Sequence, residues 1–462
     1  MVDNADPTTG RDDPGSPRTA VASAATGHGG TAAVRVGLLG CGHVGSALVG
    51  LIAERNDAIR AAADVRFDIV KVAVRNPSRQ RDLPVDPSLF TTDARAVVDD
   101  PTVDVIVEVI GGIEPARSLI VEALKAGKPV ITANKELLAN VGSELYDLAA
   151  ANGVDLLFEA AAAGAIPIVR PLRESLLGED VRRVIGIVNG TTNYILSRMD
   201  DDGASYHDAL AEAQQRGYAE RDPTADVEGY DAGAKAAIMA SLAFGLNVVA
   251  GDVYHEGISA ITQDDIVFAR HFGYTIKLLA IAQRFNESAD DTGPEVGVTV
   301  YPAMVAHTHP LASVRGSFNA VFVECAAAGE LMFYGRGAGG TPTASAVLGD
   351  LIDASLNLRR STFHPVPAGR RARIRAVDLL QSAYYINLET VDAPGVLAEV
   401  AGAFGRNQVS IRSMEQQGLD HEARIALITH TGYERDVQAT LKNLRALDVV
   451  KDVGSVLRVI ES

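Results

Sequence analysis

The sequence predicts an α/β chain in three parts: a doubly wound parallel sheet, an α+β domain whose sheet is largely antiparallel, and a small ferredoxin-like domain of βαββαβ order. Three observations carry this expectation. As far as Glu159, short apolar runs alternate with stretches of helical spacing, the signature of parallel strands joined by crossover helices. From Pro167 the strand-like runs follow one another more closely, and after the Pro- and Arg-rich stretch STFHPVPAGRRAR the pattern becomes strand, helix, strand, strand, helix, strand. A chain of 462 residues with 47% hydrophobic content also has material for several cores.

Composition excludes some classes of partner. With Lys+Arg 42 against Asp+Glu 59, the net charge is −17 at pH 7, which argues against nucleic acid and anionic membrane surfaces. Cys41 and Cys325 offer neither a disulfide framework nor a zinc motif, and read as small apolar fillers in a reducing, cytoplasmic setting. No apolar run approaches the roughly 20 residues that span a bilayer. Residues 1–31 are rich in Gly, Pro, Ser, Thr and Asp and lack the basic start and apolar core of a secretion signal. They read as a disordered tail, with His28 solvated in it.

Val34 to Leu39 is a short apolar run read as a buried strand, and GCGHVG follows it directly. Gly40, Gly42 and Gly45 fit GxGxxG, and SALVGLIAERN continues with helical spacing. In that context the turn, with His43 and Val44 inside it, can cradle a pyrophosphate at a helix N-terminus, so this part is expected to be a Rossmann-type dinucleotide-binding domain. The His43 side chain itself reads as a helix-start residue. Phe67 to Val74 is the second strand, and it runs into VRNPSRQR where an NAD site usually places an acid. Arg75, with Arg79 and Arg81 behind it, favours the 2′-phosphate of NADP; NAD, with a solvated basic loop, is the other reading. Val103 to Ile110 is the next strand and closes on Gly111 and Gly112. Glu114 to Gly127 is a helix with Pro115 in its first turn, and Pro129 to Thr132 a strand. TANK then puts Asn134 and Lys135 at a carboxyl edge, where open α/β sheets bind ligands. Glu136 to Asn152 is a helix and Asp155 to Glu159 a strand.

In the second part, Val181 to Val188 reads as a strand, followed by NGTTNYIL and helical spacing through Met199 and SYHDALAEAQQRG. ERDPTADVEGYDAGAK comes next, leading into a small-residue helix that ends at Gly245. A helix beginning near Glu228 places Asp231 and Lys235 i, i+4 apart on one face. Such a stretch reads either as a solvated helix start or as a site for an ammonium-bearing substrate with a lysine acid at its edge. Strands follow at Ile276 to Phe285, Val296 to Tyr301, Phe318 to Glu324 and Leu331 to Gly335. GRGAGGTPTASAV is a second glycine-rich loop feeding a helix, either an interdomain hinge or a backbone surface that approaches the cofactor from the other side through Gly340. In the third part DAPGVL, with Asp392, Pro394 and Gly395, opens a helix with free backbone groups suited to an amino-acid ligand; a dimerisation module is the alternative.

These motifs resemble homoserine dehydrogenase with a C-terminal ACT domain, and the resemblance covers nearly everything after the tail. It is carried by GLLGCGHVGSAL, TANK, IVNGTTNYIL, GYAERDPTADVEGYDAGAK, GAGGTPTASAV and DAPGVL. The resemblance implies reversible NAD(P)H-dependent reduction of L-aspartate 4-semialdehyde to L-homoserine in threonine, methionine and isoleucine biosynthesis, with threonine as effector. It implies Lys235 as proton donor, Asp231 beside it, and Lys135 near nicotinamide and substrate. Glu220, Asp226, Gly190 and Thr191 fall to the substrate, and Gly40, Gly42, His43, Val44, Gly45, Arg75, Gly111 and Gly340 to the cofactor. It further implies a sodium ion, or another monovalent cation, held mostly by main-chain oxygens of EAAAAGAIP through Glu159, Ala162, Gly164 and Ile166. That loop departs from the family's pattern, which commonly has Val near Ala162 and Gly at the position of Ala165. The expected divisions are a tail at 1–31, a dinucleotide-binding domain at 32–166 with a return segment at 341–365, and a substrate-binding, catalytic and dimerisation domain at 167–340. A linker at 366–381 and an ACT domain at 382–462 follow, in a homodimer or homotetramer. Two rivals remain at this point. One is another ACT-bearing dehydrogenase, for which His207, His255, His271, His307 and His309 show no pairing with an acid. The other is a non-catalytic sensor of nucleotide and amino acid, which has no need of Lys135, Glu220 and Lys235 together.

Overall fold

A computed structural model describes residues 33–285, 293–419 and 422–461, so the tail expected at 1–31 lies outside the described residues. The parallel sheet has six strands in the spatial order Phe90–Thr91, Phe67–Ala73, Val34–Leu39, Val105–Glu108, Val130–Thr132 and Leu156–Leu157. Strand order therefore reverses between Val34–Leu39 and Val105–Glu108, which opens a crevice at their carboxyl ends. Alternation along the central strand faces two cores. Val105 and Val107 pack with Leu48, Ile52 and Leu351 from the helices His43–Ala63 and Gly340–Arg360. Ile106 packs on the other side with Ile120 and Leu137 from the helices Ala116–Lys125 and Lys135–Asn152.

Several elements are shorter than their apolar runs, for local reasons. The strand expected over 103–110 ends at Glu108, because the Ile110 and Gly111 amides donate to the Glu108 carboxylate instead of to a neighbouring strand. The expected 114–127 helix is Ala116–Lys125, with Pro115 as its N-cap. The run 155–159 forms a strand only at Leu156–Leu157, since Glu159 already has helical backbone and caps the short helix Ala160–Ala163. The helix expected from near Glu228 starts instead at Tyr230, because Gly229, at φ 86°, ends the preceding turn Thr224–Val227 and begins a new axis.

The second sheet runs Gly329–Arg336, Phe318–Cys325, Val181–Ile187, Tyr274–Phe285 and Glu295–Ala306, antiparallel throughout. It then continues into the C-terminal domain through Val450–Ile460, Gln381–Val391, Glu422–Thr429 and Ile411–Leu419, with the helices Val396–Arg406 and Glu434–Arg445 completing the βαββαβ order. The junction is a parallel pairing of Ala303, Met304 and Val305 with Arg458, Val459 and Ile460. Two other short segments pair along the same Glu295–Ala306 strand: Arg373–Ile374 and Tyr254–His255. Both cysteines are buried and free. Among the described residues no helix is long and apolar enough to cross a membrane.

Candidate active site

The three glycines of GxGxxG do different work at the crevice. Gly40, at φ 101°, lies so close to the next strand that a Cβ would come within 2.7 Å of the Val109 carbonyl oxygen. A Cβ on Gly45 would overlap the Gly40 carbonyl, so Gly45 lets the helix start tuck under the turn. Gly42 meets nothing within 4 Å, leaving open backbone at the N-terminus of the His43–Ala63 helix, where an anionic diphosphate is favoured. The second glycine-rich loop closes on this turn from the other side. A Cβ on Gly340, the first residue of its helix, would sit 3.0 Å from the His43 carbonyl oxygen. Gly111 likewise faces open space. At the end of the second strand, Arg75 and Arg79 are exposed. Arg81 is withdrawn as a candidate: its guanidinium donates to the Asn76 carbonyl at 3.1 Å and lies over the Phe90 ring at 5.2 Å, folding the loop on itself.

Lys135 is delivered by a buried hydrogen-bond network. Glu108, fully buried, accepts from the Ile110 amide at 2.7 Å and from the Thr132 hydroxyl at 2.6 Å. Thr132 Oγ1 in turn accepts from the Asn134 amide at 3.0 Å. Asn134 caps the Lys135–Asn152 helix by accepting from the Leu137 amide at 3.1 Å, and its Nδ2 donates to the Gly112 carbonyl at 2.6 Å. Lys135 thus leaves the first turn of that helix in a fixed direction. Its Nζ reaches Asp231 Oδ1 at 2.5 Å.

Asp231 is the centre of the site. Its other oxygen accepts from Lys235 Nζ at 2.7 Å, one turn along the Tyr230–Phe244 helix, as the i, i+4 spacing predicts. Lys235 Nζ also donates to the Val188 carbonyl at 2.7 Å. Asn189, which the motif reading passed over for its neighbours Gly190 and Thr191, completes the cluster. Its Nδ2 donates to Asp231 Oδ2 at 2.9 Å and to Asp226 Oδ1 at 2.7 Å, while its Oδ1 caps the Gly190–Asp202 helix through the Thr192 amide at 2.8 Å. An Asn directly before a helical run is a readable cap signal, but its bridge between two carboxylates is not readable from spacing. Thr191 spends its hydroxyl on the Tyr218 carbonyl at 2.7 Å, and Gly190 lets the helix start approach Ser317. Glu220 stands outside this hydrogen-bonded cluster: it is exposed and is held through its carbonyl by Gln214 Nε2 at 3.1 Å.

The charges answer a question that spacing left open. Burial lowers the pKa of Lys235 below the ordinary lysine value; Asp231 opposes this and the nearby Lys135 ammonium adds to it. Lys135, half-exposed at the rim, goes the other way: burial acts against its charge, and the attraction of Asp231, with Asp226 and Glu136, outweighs it. Asp231 is buried, yet Lys235 and Lys135 hold its carboxyl well below the usual range. The Asp226 carboxyl is raised by burial, against the Asn189 hydrogen bond. One ammonium is therefore locked in its charged form, and a second is nearer to giving up its proton.

In the loop proposed to hold a cation, the Glu159 carboxylate accepts from the Ile168, Val169 and Arg170 amides at 2.6, 2.7 and 2.9 Å. Its side chain is thus committed to backbone, and what the loop can offer a hard cation is carbonyl oxygen, from Glu159, Ala162, Gly164 and Ile166. A Cβ on Gly164 would overlap Gly337 of the second glycine-rich loop, so the two loops are in contact. Among the described residues no group of three His, Cys, Asp or Glu side chains could hold a metal ion. In the C-terminal domain Asp392, Pro394 and Gly395 form an exposed turn, with Gly395 capping the Val396–Arg406 helix.

Comparison with known proteins gives a consistent picture. Residues 167–352 match the family model described as homoserine dehydrogenase, residues 40–159 the homoserine dehydrogenase NAD binding domain, and residues 384–449 the ACT domain. The chain is 48% identical over 434 residues to the homoserine dehydrogenase of Corynebacterium glutamicum, covering 94% of this chain and 97% of that one. It is 47% identical over 438 residues to that of Mycobacterium tuberculosis, covering 92% and 97%. A crystal structure of a homoserine dehydrogenase from Thiobacillus denitrificans superposes with a TM-score of 0.86 at 38% identity, over 94% of this chain and 99% of that one. A hyperthermophilic archaeal homoserine dehydrogenase in complex with NADPH superposes at 0.59 with 28% identity, over 71% and 98%.

Proposed function

Because the chain belongs to the homoserine dehydrogenase family of NAD(P)-dependent oxidoreductases, we propose that it interconverts L-aspartate 4-semialdehyde and L-homoserine, with NADP preferred. The observation that carries the mechanism is the sharing of Asp231 by Lys135 and Lys235, one delivered by the parallel-sheet domain and the other by the catalytic helix. The nicotinamide cofactor, when bound, would be the source of the hydride for the aldehyde carbon. Lys235, with its lowered pKa, donates the proton that the resulting alkoxide needs. Lys135, held charged, stabilises negative charge developing on the same oxygen. Asp226 and the exposed Glu220 take the substrate ammonium as charge-assisted acceptors, and Asn189 keeps Asp226 aimed beside Asp231.

Preference for NADP is supported by exposed Arg75 at the end of the second strand, and by a homologue whose structure contains NADPH. The carbonyls of Glu159, Ala162, Gly164 and Ile166 would hold a sodium ion, whose contribution is to brace the Gly164–Gly337 contact rather than to react. Threonine is the proposed effector, its carboxylate meeting the N-terminal end of the eleven-residue helix that Gly395 caps, beside Asp392 and Pro394. The proposed assignment divides the chain into 32–166 with 341–365 for the cofactor, 167–340 for substrate, and 382–462 for regulation. It places the enzyme in the cytoplasm as a homodimer or homotetramer serving threonine, methionine and isoleucine biosynthesis.

The direct test follows loss of NADPH absorbance on adding L-aspartate 4-semialdehyde, with NADH alongside and with threonine titrated in. Oxidation faster with NADPH and slowed by threonine is expected. No oxidation with either nucleotide would leave the chain a sensor rather than an enzyme.

A further inference from the structure

Arg458 belongs to the last strand of the ACT domain, yet half of its ion pairing is with the catalytic domain. It is 6% exposed, and its Nη2 donates to Glu434 Oε2 at 2.9 Å within its own domain. Its Nη1 donates to Glu256 Oε1, also at 2.9 Å, across the parallel junction of the two sheets. Tyr301 lies 4.3 Å from the guanidinium, face on, and Tyr254 donates its hydroxyl to the same Glu256 oxygen at 2.6 Å. A cavity of about 190 Å³ opens beside the pair, so the guanidinium is anchored by its partners rather than by close packing on every side.

What Glu256 holds leads to the active site. Its amide donates to the Val300 carbonyl at 2.8 Å, and two residues on the Ile258 amide donates to the Val227 carbonyl at 2.8 Å. Gly257 lies so close to that turn that a Cβ would come 2.5 Å from the Val227 carbonyl oxygen. A Cβ on Gly229 would meet Val300 Cγ1 at 3.1 Å and the Glu256 carbonyl oxygen at 3.4 Å, and the Tyr230 ring meets the His255 ring at 4.4 Å. Residues 254–258 therefore form the bed on which the elbow from Asp226 to Asp231 rests, and Arg458 pins that bed from the ACT side. We propose that Arg458 is a positioning residue for the site: through Glu256 it fixes the elbow that carries Asp226 and Asp231, so the ACT sheet sets how the acids meet the substrate ammonium. This rests on the assignment of those acids to the substrate, given above.

The test compares Glu256→Gln, which weakens the inter-domain pair alone, and Arg458→Lys, which weakens that pair together with the one to Glu434, with Glu434→Gln, which weakens only the contact inside the ACT domain. In the first two, KM for homoserine should rise about 3- to 30-fold, with kcat and the cofactor KM changed less than about threefold. Combining the two should add little to either alone in homoserine KM, because both weaken the same Arg458–Glu256 pair. Glu434→Gln should leave homoserine KM within about twofold of the parent. A second readout needs no turnover: amide hydrogen exchange at residues 226–231 should speed up in Glu256→Gln, itself a half-exposed and foldable change, and not in Glu434→Gln. Equal effects of Glu256→Gln and Glu434→Gln, additive single changes, or unchanged exchange at the elbow would overturn the proposal. An inactive parent chain would instead refute the assigned reaction, and the exchange measurement would still decide the positioning role.

Discussion

Asp231 and Arg458 are the hubs of two buried ion clusters with opposite stoichiometry. Around Asp231, one carboxylate serves two ammonium groups; around Arg458, one guanidinium serves two carboxylates, Glu256 and Glu434. Each joins parts of the chain distant in sequence, so each works as a clasp. The residue types decide what else they can do. In the first cluster a cation is in excess, and burial together with the Lys135 charge brings Lys235 below its ordinary pKa. In the second, burial is overcome by Glu256 and Glu434, and an arginine already charged at any working pH is raised further. A clasp made with lysine around a shared acid can release a proton; a clasp made with arginine between two acids can only hold.

The largest effect should come from removing the group that releases. Lys235→Met is expected to lower kcat by about 10²–10⁴-fold, the usual contribution of a positioned acid, with NADPH binding by fluorescence titration nearly unchanged. Retained turnover would break the comparison at once, because Lys235 would then be one more clasp.

Stability should divide the clusters the other way. Arg458→Met leaves Glu434 buried opposite no cation and is expected to cost about 3–5 kcal/mol in urea denaturation. Lys135→Met, at the half-exposed rim, leaves Asp231 paired with Lys235 and should cost no more than about 1 kcal/mol. Equal costs would mean that the Asp231 cluster is as structural as the other.

The pH dependence sharpens the point. Lys235 donates only while protonated, so aldehyde reduction should fall as pH rises through its pKa, below the ordinary lysine value of about 10.4. The Asp231 charge raises that pKa and the Lys135 charge lowers it. Asp231→Asn should therefore move the alkaline limb of kcat to lower pH, not higher. The folding signature of Asp231 lies at the other end of the scale. Its carboxyl is depressed in the folded chain, so its contribution is present above the unfolded value of about 3.9 and is lost as pH falls through the folded value. A limb unmoved in Asp231→Asn would show that another group titrates.

How far these features were legible in sequence follows from their range. The glycine turn, the i, i+4 pair and the ferredoxin-like order are set by neighbours within a few residues, and the fold reproduces them. The start of the catalytic helix was misplaced because Gly229 has a left-handed backbone that composition does not display. Arg81 is a secondary candidate behind Arg75 by sequence, and spacing does not show that the loop folds its guanidinium back on Asn76. The pairing of Lys135 with Asp231 spans nearly a hundred residues, and that of Glu256 with Arg458 about two hundred. No periodicity encodes either, and the continuity of the ACT and catalytic sheets rests on three backbone pairs that any apolar strand end would allow.

The smallest predicted effect isolates Asn189, which has no counterpart in the Arg458 cluster, where tyrosine hydroxyls occupy the corresponding positions. Asn189 does two things at once: its Oδ1 caps a helix, and its Nδ2 bridges Asp226 to Asp231. Serine is as good a cap as asparagine but too short to bridge the acids. Asn189→Ser should therefore keep the cap and remove only the bridge between the two acids. The bridge is what lowers the Asp226 carboxyl against burial and the Asp231 charge, so its loss should raise that pKa further. On the proposed assignment homoserine binding needs Asp226 charged, so the acid limb of homoserine KM should shift to higher pH, while the alkaline limb of aldehyde reduction, set by Lys235, stays in place. If both limbs move together, the two acids act as one coupled unit, and the division between a substrate-holding Asp226 and a lysine-holding Asp231 would have to be withdrawn.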